Sequence, residues 1–242
     1  MEVQALRDAT DQGGTTEAPD SAKRRQIMEG ARRVFLADGF DGASMNDIAR
    51  AAGVSKGTLY VYFTSKEQLF EALIREERHQ QAERLCDFSM DNPDVRTVLC
   101  TFGRRLIGMM TRPDSMSHLR TVIAASSKFP QLGRAFYEAG PCFGAKRLAQ
   151  YLRRRGEEGL LDIADPERVA WQFLALCKGE THTPLLFRMV EELDPAAVET
   201  SIDGAVNLIL AAYGAPPLRE AALAALQSSS RPSAGAPATT PV

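Results

Sequence analysis

The chain has 242 residues, of which 44% are hydrophobic and 25% charged, with a formal net charge of −2. That apolar share is ample for a folded core, and the length holds one large domain or two smaller ones. The charge balance excludes a globally basic nucleic-acid binder, so any contact with nucleic acid must rest on local charge.

Residues 1–20 contain Gly13-Gly14-Thr15-Thr16 and carry a net charge of −4, with Arg7 against five acids. Polar, aperiodic composition of this kind predicts a disordered N-terminal tail. A first helix follows, with Ile27, Ala31, Val34 and Phe35 on one face and an end at Asp38-Gly39. Lys23, Arg24 and Arg25 precede it, where a basic arm could reach a minor groove or flanking phosphates. Ser44 is placed to cap a short second helix whose Ile48, Ala49 and Ala52 share an apolar face. Gly53 stands where that helix must stop in a left-handed conformation. Ser55 can then cap a third helix through Lys56-Gly57-Thr58-Leu59-Tyr60, completing a helix-turn-helix over residues 21–70.

The third helix makes sense if something large approaches it closely. A glycine inside a helix costs about 1 kcal/mol relative to alanine, yet Gly57 sits there, followed by Tyr60-Val61-Tyr62 on a face expected to be wet. Gly57 and Thr58 would let the backbone near base edges, with the threonine methyl available to a thymine methyl. Lys56, Tyr60 and Lys66 supply phosphate donors on either side. Ser44, Ser55 and Tyr62, with Lys23 and Arg24, complete the candidate DNA-contact set. Residues 21–66 hold eight basic side chains against four acidic ones, a local charge of +4 around the motif.

Ser65 is placed to cap a long fourth helix with Leu69, Phe70, Leu73 and Ile74 inside, running toward residue 88. Asn92-Pro93-Asp94 restarts the chain, and Val95, Val98, Leu99, Phe102, Leu106, Met109 and Met110 line one face over four turns. Further helices are predicted at 114–127 and 130–155, the latter broken at Gly140-Pro141. Asp165-Pro166 opens another, with Trp171 and Phe173. After a loop at Thr181-His182-Thr183-Pro184, Asp194-Pro195 opens the last long helix. Residues 216–242 are expected to be mostly disordered. No strand-like alternation appears, so the fold class is all-α: the helix-turn-helix domain, then a helical domain over 71–215.

The run from Asp47-Ile48-Ala49 through Gly53-Val54-Ser55-Lys56-Gly57-Thr58-Leu59-Tyr60-Val61-Tyr62-Phe63 to Ser65-Lys66-Glu67-Gln68-Leu69-Phe70 resembles the DNA-binding domain of the TetR family of bacterial transcriptional regulators. Ile27, Ala31, Val34-Phe35 and Gly39-Phe40 resemble that family's first helix. More weakly, Phe129-Pro130, Phe136-Tyr137, Leu160-Leu161, Pro166, Ala170 and Phe173 resemble the ligand-binding half of its AefR-like branch. The resemblance implies a repressor of a pseudo-palindromic double-stranded DNA operator, released by a small-molecule effector. It also implies a homodimer through the helices at about 165–180 and 195–213, paired as a four-helix bundle. An activator, or a regulator without an effector, remains an alternative on the sequence.

The helical half suggests an apolar effector pocket, with candidates Phe102, Leu106, Met109 and Met110 on one helix and Phe136, Phe143 and Trp171 on others. An enzyme on a helical scaffold finds little support: there is no phosphate-cradling glycine loop, no Gly-x-Ser-x-Gly and no His-Glu-x-x-His. His79, His118 and His182 lack metal spacing, so no cofactor or metal is expected. Cys86, Cys100, Cys142 and Cys177 are far apart and read as small hydrophobes. No apolar run approaches the ~18 residues needed to span a bilayer, and an acidic N-terminus has the wrong sign for a secretory signal. A cytoplasmic setting, with no membrane partner, is the expectation.

Overall fold

The computed structural model describes residues 19–179 and 181–229; the expected N-terminal tail lies almost wholly outside them, as does the end of the C-terminal one. Contacts divide the chain into two compact units that meet between Phe70 and Glu71. Every named element is helical, and no strand occurs among the described residues.

The first unit holds α1 (Pro19–Gly42), α2 (Met45–Ala52), α3 (Lys56–Tyr62) and the start of α4 (Lys66–Leu85). The predicted inner stripe of α1 is buried, as are Ile48, Ala49, Ala52 and Leu59. Phe35, Phe40 and Phe70 form an aromatic cluster, the Phe35 and Phe70 centroids 4.6 Å apart and those of Phe40 and Phe70 5.1 Å apart. The expected stop at Asp38-Gly39 is a kink instead: Gly39 takes φ 68° and ψ −177°, and one more turn follows to Gly42. Close packing of α1 on α2 depends on Gly30, where an added Cβ would lie 2.6 Å from the Ala52 backbone.

The second unit contains the rest of α4 and then α5 (Val95–Met110), α6 (Pro113–Ser126) and α7 (Pro130–Tyr137). A π turn at Glu138–Cys142 leads into α8 (Phe143–Glu157). Next come α9 (Pro166–Lys178), a short α10 (His182–Leu186), α11 (Pro195–Tyr213) and α12 (Pro216–Ser229). The Gly140-Pro141 break predicted from sequence thus takes the form of a π turn, where proline's missing N–H is tolerated. The core is built from Leu99, Phe102 and Leu106 of α5, Leu148 and Tyr151 of α8, Phe173 of α9 and Ile202 and Val206 of α11. Tyr151 donates to the Asn92 carbonyl at 2.9 Å, so its buried hydroxyl is satisfied.

Two expectations are corrected here. Residues 216–229, placed by sequence in a mostly disordered tail, form α12, with Ala222 fully buried and Leu218 packed against the core. The sharp entry into α12 needs Gly214, whose added Cβ would lie 2.5 Å from the Leu210 carbonyl oxygen. Residues 181–184, read as a loop, begin the short helix α10 at His182.

Candidate nucleic-acid interface and effector cavity

The capping chemistry of the helix-turn-helix is as the residues suggest. Ser44 Oγ accepts from the Asp47 amide at 3.2 Å, and Asp47 also holds Arg50 at 2.7 Å. Gly53 sits at φ 64° and ψ 38°, and the Gly53 and Val54 amides donate to Arg50 and Ala49, closing α2. The end of α2 is also tied to α1, because Gln26 donates to the Ala52 carbonyl at 2.6 Å and Arg33 to that of Ala51. Ser55 Oγ accepts from the Thr58 amide at 3.0 Å and shares a 2.7 Å hydrogen bond with Thr58 Oγ1. Leu59 and Phe63 anchor the inner side of α3.

The outer side of α3 is bare. Lys56 and Gly57 are exposed, Tyr60 is 43% exposed and Val61 82%. An added Cβ at Gly57 would meet only Ser55 Oγ, at 3.8 Å, so nothing within the chain requires a glycine there. Lys56 lies 5.9 Å from the centroid of the Tyr60 ring, putting cation and aromatic side by side on this face. Val61 is an apolar member of the face that the candidate set omitted; its position between two tyrosines was the available signal.

Four further candidates are engaged within the chain. The Tyr62 hydroxyl donates to the Asp20 carboxylate, which with burial holds the phenol above its ordinary value. Arg24 lies over the Phe63 ring at 5.5 Å, and Lys23 donates to Gln26 at 3.0 Å. Lys66 is the largest departure. Its ammonium donates to the carbonyls of Phe40 at 2.8 Å, Ala43 at 3.0 Å and Asp41 at 3.4 Å, and sits 4.6 Å from the Phe40 centroid. An ammonium has three N–H groups, and all three are used to close the C-terminal end of α1. The phosphate-donor expectation for Lys66 therefore gives way to a structural clamp. Lys66→Ala should cost about 1–3 kcal/mol of stability through those unpaired carbonyls and leave the salt slope of DNA binding unchanged. A flattened slope at an unchanged melting temperature would restore the phosphate contact.

In the second unit a cavity of about 260 Å³ is bounded by α4, α5, α6, α7, the π turn, the start of α8, α9 and α10. Leu106, Met109, Met110 and Phe136 of the candidate set line it. Phe102, Phe143 and Trp171 do not. Phe102 is fully buried between the Phe88 and Phe173 rings, 6.0 and 6.2 Å away. Phe143 meets His79 edge-on at 5.4 Å, and Trp171 stacks on Tyr137 at 5.7 Å. The polar lining, Arg78, Gln81, Ser115, Lys178 and His182, lies outside the candidate set; only His182, from its polar surroundings, was open to such a reading. Arg78 sits within a run of charged residues that reads as a wet face, but it is only 6% exposed. Burial pushes Arg78 and Lys178 below their ordinary values; His182 is lowered by burial and then by the charge of Lys178.

Burial raises the Cys86 thiol to about 11 and Cys177 to about 12, which keeps both protonated and slow toward oxidants. Among the described residues no group of three or more His, Cys, Asp or Glu could hold a metal ion, and no helix is long and apolar enough to cross a membrane.

Residues 27–73 match the model of the bacterial regulatory proteins of the tetR family, and residues 97–215 that of the AefR-like transcriptional repressor C-terminal domain. The flavonoid-responsive regulator FrrA is 33% identical, with a TM-score of 0.70 over 81% of this chain and 99% of FrrA. A TetR-family regulator from Mesorhizobium loti is 29% identical, with a TM-score of 0.76 over 82% of this chain and 100% of its own. The transcriptional repressor AcnR of Corynebacterium diphtheriae is 41% identical over 101 residues, 42% of this chain and 52% of AcnR. The chain therefore spans about half the length of that repressor. Fold and family matches together place the chain in the class of helix-turn-helix transcriptional regulators. The chain belongs to the TetR family.

Proposed function

We propose that the protein is a dimeric repressor that reads a pseudo-palindromic operator through α3 and is released by a small, largely apolar effector bound in the α4–α9 cavity. The bare outer face of α3, with Gly57 unconstrained by its own chain, is the observation that carries the reading. On this reading Gly57, Thr58 and Val61 approach base edges in the major groove, while Lys56 and Tyr60 contact phosphates. Lys23 and Arg24 add flanking phosphate contacts, and Ser44 and Ser55 act chiefly by capping the two helices.

Dimerisation is supported by the outer faces of α9 and α11. Leu176 is 37% exposed and Leu208 47%, and an added Cβ at Gly204 would meet nothing, so α11 offers a small, apolar stripe suited to a second copy. Two-fold symmetry would match half-sites spaced by a helical turn. Effector response is supported by the cavity and by FrrA being a flavonoid-responsive regulator. One helix, α4, carries Leu69 and Phe70 of the first core and also Arg78, Gln81, Ala82 and Leu85 of the cavity wall. A shift of α4 on ligand binding would change the spacing of the two recognition helices. The effector must favour the DNA-incompetent state by about 1–3 kcal/mol.

The test combines nuclease protection of DNA upstream of the gene itself with reporter expression in a deletion strain. A protected palindrome of two half-sites, with derepression in the deletion, is the expected result. Lower expression in the deletion would make the protein an activator, and no protected sequence would remove the operator reading.

A further inference from the structure

The cavity is lined mostly by apolar side chains, yet three of its polar residues share one unmet need. Three buried side-chain atoms on its wall have no hydrogen-bond partner: Arg78 Nη2, Gln81 Oε1 and Ser115 Oγ. Natural interiors leave few such atoms orphaned, because each costs about 1–3 kcal/mol. Three around one cavity, two on α4 and one on α6, point to a ligand that satisfies them.

The charge of that wall is one-sided. Arg78 and Lys178 line the cavity, with His182 beside them, and among the described residues no carboxylate lines it. The acid whose charge acts on Arg78 is its chain neighbour Glu77, which pairs with His118 at 2.8 Å. The Arg78 guanidinium is held in place: it lies over the Phe136 ring at 4.6 Å, and its stem packs on the π turn. An added Cβ at Gly140 would meet Arg78 Cδ at 3.4 Å, so the glycine of the π turn lets that backbone press close to the arginine. A planar cation held in a buried site, with one terminal nitrogen left without a partner, matches a carboxylate, which accepts such donors in a charge-assisted pair.

Size limits the rest of the molecule. A cavity of about 150 Å³ holds one benzene ring, so about 260 Å³ has room for a body of one to two rings. Leu106, Met109, Met110, Met116 and Ile123 supply adaptable apolar contacts for it. We infer that the effector is a small apolar acid: a one- or two-ring body in the methionine-lined end and a single carboxylate held by Arg78 and Lys178, with Gln81 and Ser115 completing its hydrogen bonds. This rests on the effector-binding reading above and narrows it to a ligand class.

The experiment compares 2-naphthoate with its neutral isostere 2-naphthamide, by titration calorimetry on the full-length protein. The acid should bind about tenfold or more tightly than the amide, the scale of one charge-assisted hydrogen bond in a buried site. Arg78→Met and, separately, Lys178→Met should each reduce that preference while leaving amide binding in place. Lys178 is only half-buried, so its variant keeps the test decisive if Arg78→Met does not fold. Equal affinity for the two probes, no binding of either, or a preference that survives both substitutions would overturn the inference. The same preparations are assayed for operator protection. Protection without acid preference leaves the regulator reading standing and removes the ligand class; acid preference without protection does the reverse.

Discussion

Gly57→Leu should abolish specific operator binding and leave the fold intact. The substitution places a branched side chain on the outer face of α3, where an added Cβ meets only Ser55 Oγ at 3.8 Å. Nothing inside the protein resists it, and leucine improves helix propensity there by about 1 kcal/mol. Against DNA the same side chain stands between helix and groove, holding Thr58 away from the base edges. Specific affinity exceeds non-specific affinity by about 10³-fold or more, and the loss should be of that order. Circular dichroism, melting temperature and oligomeric state serve as controls and should match the wild type. Protection of the operator at wild-type concentrations would show that this face does not dock.

The second large effect separates core from cavity. Phe102→Ala removes a fully buried ring wedged between Phe88 and Phe173, and should cost about 3–5 kcal/mol. For a chain of this length that lowers the melting temperature by on the order of 10 °C, and DNA binding should fall with it through unfolding. Met109→Ala acts at the half-buried cavity wall, where the space can open to the ligand site. Its cost should be nearer 1 kcal/mol, with DNA binding retained and the response to a cavity ligand weakened. Both side chains lie on the same apolar stripe of α5, so the contrast tests where core ends and cavity begins. A wild-type melting temperature for Phe102→Ala, with ligand response lost, would move Phe102 into the cavity wall.

What the residues determined by themselves is local. Ser44 and Ser55 cap helices by accepting from amides three positions on, the Gly53 amide stops α2 by donating to carbonyls three and four positions back, and that chemistry is written in near letters. The 3.6-residue period of Ile27, Ala31, Val34 and Phe35 marked the buried side of α1. The two prolines after aspartate, at 166 and 195, opened α9 and α11 as expected. The odd position of Gly57 pointed to a docking face because a helix does not spend stability there without cause.

Tertiary structure decided what depends on residues far apart in the chain. Lys66 looks like a free phosphate donor until its ammonium meets the Phe40 carbonyl, 26 positions away. Residues 216–229 have no partner in their own sequence; α12 forms because α11 and the core cover Ala222 and Leu218. Periodicity marks which face of a helix is inward but not whether the neighbouring space is filled. Phe102 and Met109 therefore share one stripe, though only Met109 borders the cavity. Arg78, in a charged stretch, reads as a solvated side chain. Only the packing of Phe136 under its guanidinium and of the π turn on its stem removes it from water and leaves a terminal nitrogen without a partner. Short-range hydrogen bonds and helical period are properties of sequence neighbours; cavities, clamps and buried charges belong to pairs of surfaces that meet only when the chain has folded.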